Sequence, residues 1–287
     1  MSDSENQERL TTKKKAKKTP QAEMSFLEHL EELRWHIIRS FIAVFVFAII
    51  AFIFKNVIFN TIILKPRTPD FWTNRMLFKL GDLVHSDALK INQKPLEIIS
   101  IQMAGQFMTH IWVSIIAGII LSSPVIFYEF WSFIKPALYE KERRYAGGAV
   151  FYTSILFIMG VLFGYFLIVP LSVHFLGSYN VSQDVANQIN LKSYIGTVTS
   201  ISLAAGVVFL LPIFSFFLSK VGILTPQFMK TYRRHSYVVL LLLSAIITPP
   251  DIFSQIMVCI PLVLLYEISI LISKRVVKKR EKLLDEI

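Results

Sequence analysis

Cysteine is almost absent: Cys259 stands alone inside an apolar run, so neither a disulfide framework nor a Cys-based metal cluster can be built within one chain. It reads as a small buried apolar residue. Charge is scarce too, at 17% of 287 residues against 54% apolar and a mean hydropathy of +0.54, too little to coat an ordinary soluble domain. Acids are the scarcer sign, 20 against 30 Lys and Arg. The resulting +10 raises the question of nucleic acid. The cations, however, sit between apolar blocks and at the two ends, where they meet anionic headgroups, so they read as topology signals and no nucleic-acid partner is expected. The strings of intramembrane hydrolases are missing: there is no His-Glu-x-x-His, no Gly-x-Ser-x-Gly and no zinc-ligand spacing. His110 and His174 lie far apart with no carboxylate close by in sequence, and interfacial packing is the expected role of both. No metal, cofactor or catalytic residue is expected. No period of roughly 20 to 50 residues repeats, which argues against inverted-repeat transporters.

What the chain has is long apolar runs. A helix crosses a hydrocarbon layer of roughly 30 Å with about 20 apolar residues, and five runs are of that order: 36–54, 107–134, 147–176, 194–219 and 252–273. A sixth, 236–248, is shorter and ends at Pro249-Pro250-Asp251. By length alone it is either a crossing or a re-entrant segment. Charge decides, because short cytoplasmic loops collect Lys and Arg. Residues 131–146 carry Lys135, Lys141, Arg143 and Arg144, and residues 220–235 carry Lys220, Lys230, Arg233 and Arg234. By contrast 177–193 carries only Lys192, and the turn at 249–251 none. The tail after Ser273 is basic again, so 236–248 must cross for that tail and the 220–235 loop to share a side. The first apolar block shows no cleavage site after Ala51 and reads as an uncleaved span.

The expected fold is therefore an all-α integral membrane bundle of six transmembrane helices with both termini cytoplasmic. A disordered basic tail (1–23) precedes the membrane domain (24–273), and a basic cytoplasmic tail (274–287) follows. The first outer loop, 55–105, dilutes seven Lys or Arg with Asp70, Asp82, Asp87 and Glu97; its Pro66, Pro69, Phe71, Trp72 and Phe78 suggest a structured cap.

Order is expected from Ser25, where Ser25-Phe26-Leu27-Glu28 reads as a capping box. Phe26, Leu27, Leu30 and Leu33 then share one helical face, while Glu28, Glu31, Glu32 and Arg34 occupy others, giving a short amphipathic helix that leads into the first span. Carboxylates beside an anionic surface gain nothing from the lipid. Glu28 and Glu31 either favour the macrodipole of the helix start or, with Glu32, form an exposed site for a cationic ligand, since a guanidinium pairs with carboxylate in a fork that Lys does not reproduce. At the inner end of the second run, Phe127, Tyr128, Phe130, Trp131, Phe133 and Tyr139 read as interfacial anchors and Pro136 as a helix stop. Glu140 and Glu142 there have Lys141, Arg143 and Arg144 as ready partners.

Three stretches resemble the TatC family, the receptor core of twin-arginine protein translocation. They are Phe26-Leu27-Glu28-His29-Leu30-Glu31-Glu32-Leu33-Arg34; Ser123-Pro124 through Phe133-Ile134-Lys135-Pro136-Ala137-Leu138-Tyr139-Glu140-Lys141-Glu142-Arg143-Arg144; and Thr248-Pro249-Pro250-Asp251-Ile252-Phe253-Ser254-Gln255. With the six-run pattern they cover about 24–273. The resemblance implies a concave, glove-like bundle whose cytoplasmic face binds the consecutive arginines in the signal peptide of folded cargo. By motif position, Glu32 and Glu142 match the two signal-binding carboxylates, Phe133 and Tyr139 flank that site, and Glu28, Glu31 and Glu140 add negative potential that attracts a basic peptide. It also implies docking of single-span TatA/TatB-type subunits at the outer corner, through Thr248, Pro249, Asp251 and Gln255. An oligomeric complex in the bacterial cytoplasmic membrane follows, with transport drawing on a proton-motive force and no enzymatic activity.

Gln255 has an equally ordinary role as the donor of an internal hydrogen bond to a neighbouring helix. One position departs from the family: where much of it carries an acid or amide two residues before the proline of the fourth span, this chain has Leu210 before Pro212. Glu267, an acid within the last span, is expected to snorkel or to pair with Lys274 or a neighbour, and is a functional candidate by its depth. The alternative function is a secondary transporter of a small solute. It needs ionisable residues or broken helices near the midplane, and Pro212 or Pro261 is its best support.

Overall fold

The computed structural model describes residues 26–85, 91–92, 95–135, 146–180, 182, 187–248 and 252–285. Helix α1 (Phe26–Ile53) is one 28-residue rod. Its sequence holds no Gly or Pro to interrupt it, so the polar start and the apolar run fuse. Against it lies α3 (Gly105–Ile134), and Gly118 sets how closely: a Cβ there would stand 2.8 Å from the Val44 carbonyl oxygen and 2.9 Å from the Ala48 Cβ. In an apolar solvent, such small residues let backbones meet where no hydrophobic force drives them together.

The third run is α4 (Ala146–Phe163), a π-helical turn over Gly164–Ile168, and α5 (Val169–Ser178) with Pro170 in its first turn. The wider turn falls where Pro170, lacking an N–H, interrupts the regular helical hydrogen-bond ladder. The fourth run is broken. Helix α6 (Leu191–Val208) stops, Phe209 and Leu210 turn, and α7 (Leu211–Val221) restarts with Pro212 at its N-terminus. Pro261 in α10 (Ile252–Asp285) breaks nothing; that helix continues for 34 residues through the basic tail. Between α7 and α10 come α8 (Pro226–Thr231) and α9 (Arg233–Ile247). Among the described residues, five stretches are long and apolar enough to cross a membrane: Leu30–Ile53, Gly105–Ile134, Gly148–Ser178, Leu191–Val221 and Gln255–Lys278. Helix α9, at 15 residues, rises only about 22 Å.

The core lies where α5, α6, α9 and α10 converge, around Ile168, Val169, Ile195, Val198, Leu240, Val258 and Leu262. Outward-facing residues such as Phe41, Phe45, Ile246 and Ile252 stay bare, the pattern of helices solvated by lipid.

Residues after α1 fold into a cap. A π-helical turn (Val57–Ile63), a 3₁₀ turn (Lys65–Arg67) and α2 (Trp72–Val84) lead to β1 (Ile98–Ile99), which pairs in parallel with β2 (Ile189–Asn190). Polar side chains tie the cap to the bundle. Thr73 donates to the Phe166 carbonyl, Asn92 Nδ2 to the Pro170 carbonyl at 3.1 Å, and the buried Tyr194 hydroxyl to the Ile63 carbonyl at 2.8 Å. Phe71 packs between Tyr165 and Phe166, ring centres 5.5 and 5.6 Å away. His174 Nδ1 accepts from the Asn92 amide at 3.3 Å, and His110 stacks on Phe52 at 3.9 Å with its Nε2–H on the Phe52 carbonyl. Both histidines thus serve the cap's packing.

Candidate functional site

The N-terminal turns of α1 and the C-terminal turns of α3 meet at one end of the bundle, and their acids meet there too. Glu32, His36 and Arg39 follow one another at helical spacing along α1, so they share a face. From α3 the buried Glu129 reaches that face: its Oε2 lies 2.5 Å from His36 Nδ1 and 3.8 Å from Arg39 Nη1. His36, only 9% exposed, has its other ring nitrogen 4.0 Å from Glu32 Oε1. Phe133, one helical turn beyond Glu129, sets its ring edge-on to the imidazole at 6.0 Å.

The imidazole therefore stands between two carboxylates, and it offers an N–H to both only as imidazolium. Arg39 is largely exposed and adds a cation at the rim. Both Glu32 and Phe133 thus adjoin His36. Glu32 is half-buried and Glu31 exposed, while Glu28 lies in the first turn of α1. Tyr139, Glu140 and Glu142 fall outside the described residues. Sequence reasoning passed over His36 and Glu129. The available signal was an acid embedded among rings, in Tyr128-Glu129-Phe130-Trp131, where an interfacial belt has no use for a carboxylate.

At the opposite end, Thr248 caps α9. It is buried, with its hydroxyl on the Ser244 carbonyl at 2.8 Å. Gln255 Nε2 reaches the Leu241 carbonyl at 3.4 Å, joining α10 to α9 through the internal contact open to it. Pro249 and Asp251 lie outside the described residues. Leu210 packs with Phe157 and Val161 in a small apolar cluster, so no polar group occupies the turn between α6 and α7. Glu267 takes a fork from Arg233, whose Nε lies 2.6 Å from Oε1 and whose Nη2 meets Oε2, and it also accepts from the Tyr237 hydroxyl. Its partner is thus a residue of α9, and the bond locks α9 to α10.

A multi-span all-α membrane protein with an acidic, histidine-centred cluster at one end is the class these features define. The family model for the Sec-independent protein translocase protein TatC matches residues 28–261. The TatC protein of Blattabacterium sp. subsp. Periplaneta americana is 44% identical over 265 residues, covering 92% of this chain and all of that one. TatCy of Bacillus subtilis is 32% identical over 260 residues, 91% of this chain and 92% of its own. A crystal structure of the twin arginine translocase receptor TatC in DDM superposes with a TM-score of 0.66 at 33% identity, covering 86% of this chain and 99% of that one. A second crystal structure of that receptor gives 0.62 at 32% identity. The chain belongs to the TatC family and is a component of the Sec-independent, twin-arginine protein translocase.

Proposed function

We propose that the end of the bundle carrying Glu32 faces the cytoplasm and receives the paired arginines of a signal peptide, with Glu32 and Glu142 as the two carboxylates and Phe133 and Tyr139 beside them. The observation that carries this reading is the cluster around His36, where Glu32 and Phe133, from different helices, adjoin one buried side chain. Two adjacent guanidinium groups need two separated anions, and Glu28, Glu31 and Glu140 deepen the negative potential that draws a basic peptide in. The chain crosses the bacterial cytoplasmic membrane six times with both termini inside, α9 being the short crossing. It works as a receptor, not as an enzyme, in an oligomeric complex powered by the proton-motive force. Single-span TatA/TatB-type subunits dock at the outer corner around Thr248, Pro249, Asp251 and Gln255. The corner's bare apolar residues, Ile246 and Ile252 among them, support that part of the reading.

The test is photo-crosslinking and export of a twin-arginine precursor with Glu32→Gln, Glu142→Gln and the double variant. Each charge-assisted bond contributes about 1.5–3 kcal/mol, so each single variant is expected to weaken signal-peptide binding on the order of tenfold to a hundredfold. Full binding and export by the double variant would remove the assignment.

A further inference from the structure

The membrane face opposite Glu32 holds a cavity of about 500 Å³ that no step above uses. Lys55 lies 23 residues beyond Glu32 on a nearly continuous helical path, a rise of about 35 Å, so the cavity sits at the far headgroup level. Its lining includes Lys55, Asn56, Asn60, Arg67, Gln106 and His110, which among the described residues brings two permanent cations and no carboxylate. Arg67 is half-buried at the end of the 3₁₀ turn. One Nη donates to the Leu96 carbonyl, while Nε is buried and has no hydrogen-bond partner among the described residues. The guanidinium charge nonetheless lines the cavity and attracts an anionic oxygen there together with Lys55. The N-terminus of α3 opens onto the same space through Gln106 and Phe107. Its N-cap, Ala104, supplies no side-chain cap, so the first amides of a 30-residue helix add positive potential there. Phe107 of the lining is exposed, as are Ile101 and Met103 in the segment that joins the lining residues Ser100 and Gln106, apolar surface suited to acyl chains.

We propose that this cavity is a phosphate site for an anionic membrane lipid. The phosphodiester lies against Arg67, Lys55 and the start of α3, and the acyl chains run down the bare face of α3. Lipid held there braces the cap against α1 and α3.

Native mass spectrometry of the full chain, titrated with phosphatidylglycerol or phosphatidylcholine, tests this. Phosphatidylglycerol is expected to be retained over phosphatidylcholine. Arg67→Gln and Lys55→Gln should each weaken its retention about fivefold, the effect of one cation at a membrane surface, and leave phosphatidylcholine unchanged. Lys55 is exposed and, among the described residues, makes none of the hydrogen bonds that hold the cap, so that variant decides the matter even if Arg67→Gln fails to fold. Equal retention of the two lipids, or unchanged phosphatidylglycerol retention in Lys55→Gln, overturns the site. Displacement of the lipid by equimolar inorganic phosphate assigns the cavity to a free anion and overturns the lipid as its occupant.

Discussion

His36 is buried with Glu129 against one ring nitrogen and Glu32 near the other. With Glu129 only 8% exposed, deleting either partner leaves the other buried without its hydrogen bond. Glu129→Ala and His36→Ala are each expected to destabilise the fold by about 1–3 kcal/mol, read as a lowered melting temperature in detergent. The double variant should cost less than the sum of the two, because the pair shares one interaction; strict additivity would show that the two side chains do not act together. Glu32 and Phe133 were legible as candidates from their place in short sequence strings, whereas His36 and Glu129 were not. They stand 93 positions apart, too far for a local pattern, and the contact exists only because α1 packs on α3. Glu267 gives the same lesson: snorkelling or a pair with Lys274 or a neighbour was expected, and the partner, Arg233, lies 34 residues back on α9.

At the scale of helices, close backbone contacts matter more than side-chain bulk. A Cβ on Gly160 of α4 would lie 2.6 Å from both the Ala205 carbonyl oxygen and the Phe209 Cβ, and one on Gly206 would meet Val161 at 2.7 Å. Gly160→Leu is expected to prise α4 from α6, costing about 1–3 kcal/mol or more. Gly196→Ala, where nothing lies within 4 Å, should leave the melting temperature unchanged or raise it. A Gly160→Leu variant as stable as the parent would refute the close packing. Hydropathy made the apolar runs readable but not the interruptions within them. Both Pro212 and Pro261 were candidate breaks. The helix yields only before Pro212, where Phe209 and Leu210 turn into contact with Phe163, Phe157 and Val161, packing that proline alone does not announce.

Across the whole molecule, loop charge argues for one orientation, and it has a direct check. In a Cys259→Ala background, a membrane-impermeant maleimide added from outside is expected to label Asn187→Cys and to spare Lys274→Cys until the cells are opened; both positions are exposed. Labelling of Lys274→Cys in intact cells would overturn the six-crossing topology. The cap was the least legible part of the chain. Its prolines and aromatics announced structure, but its bonds run from Tyr194 to Ile63, from Asn92 to Pro170 and from Thr73 to Phe166, spans of sequence too long for any local signal. Those ties fasten one rim of the bundle, from the cap to the third and fourth runs, so any bending of α5 and α6 pivots at that rim, as about a fulcrum.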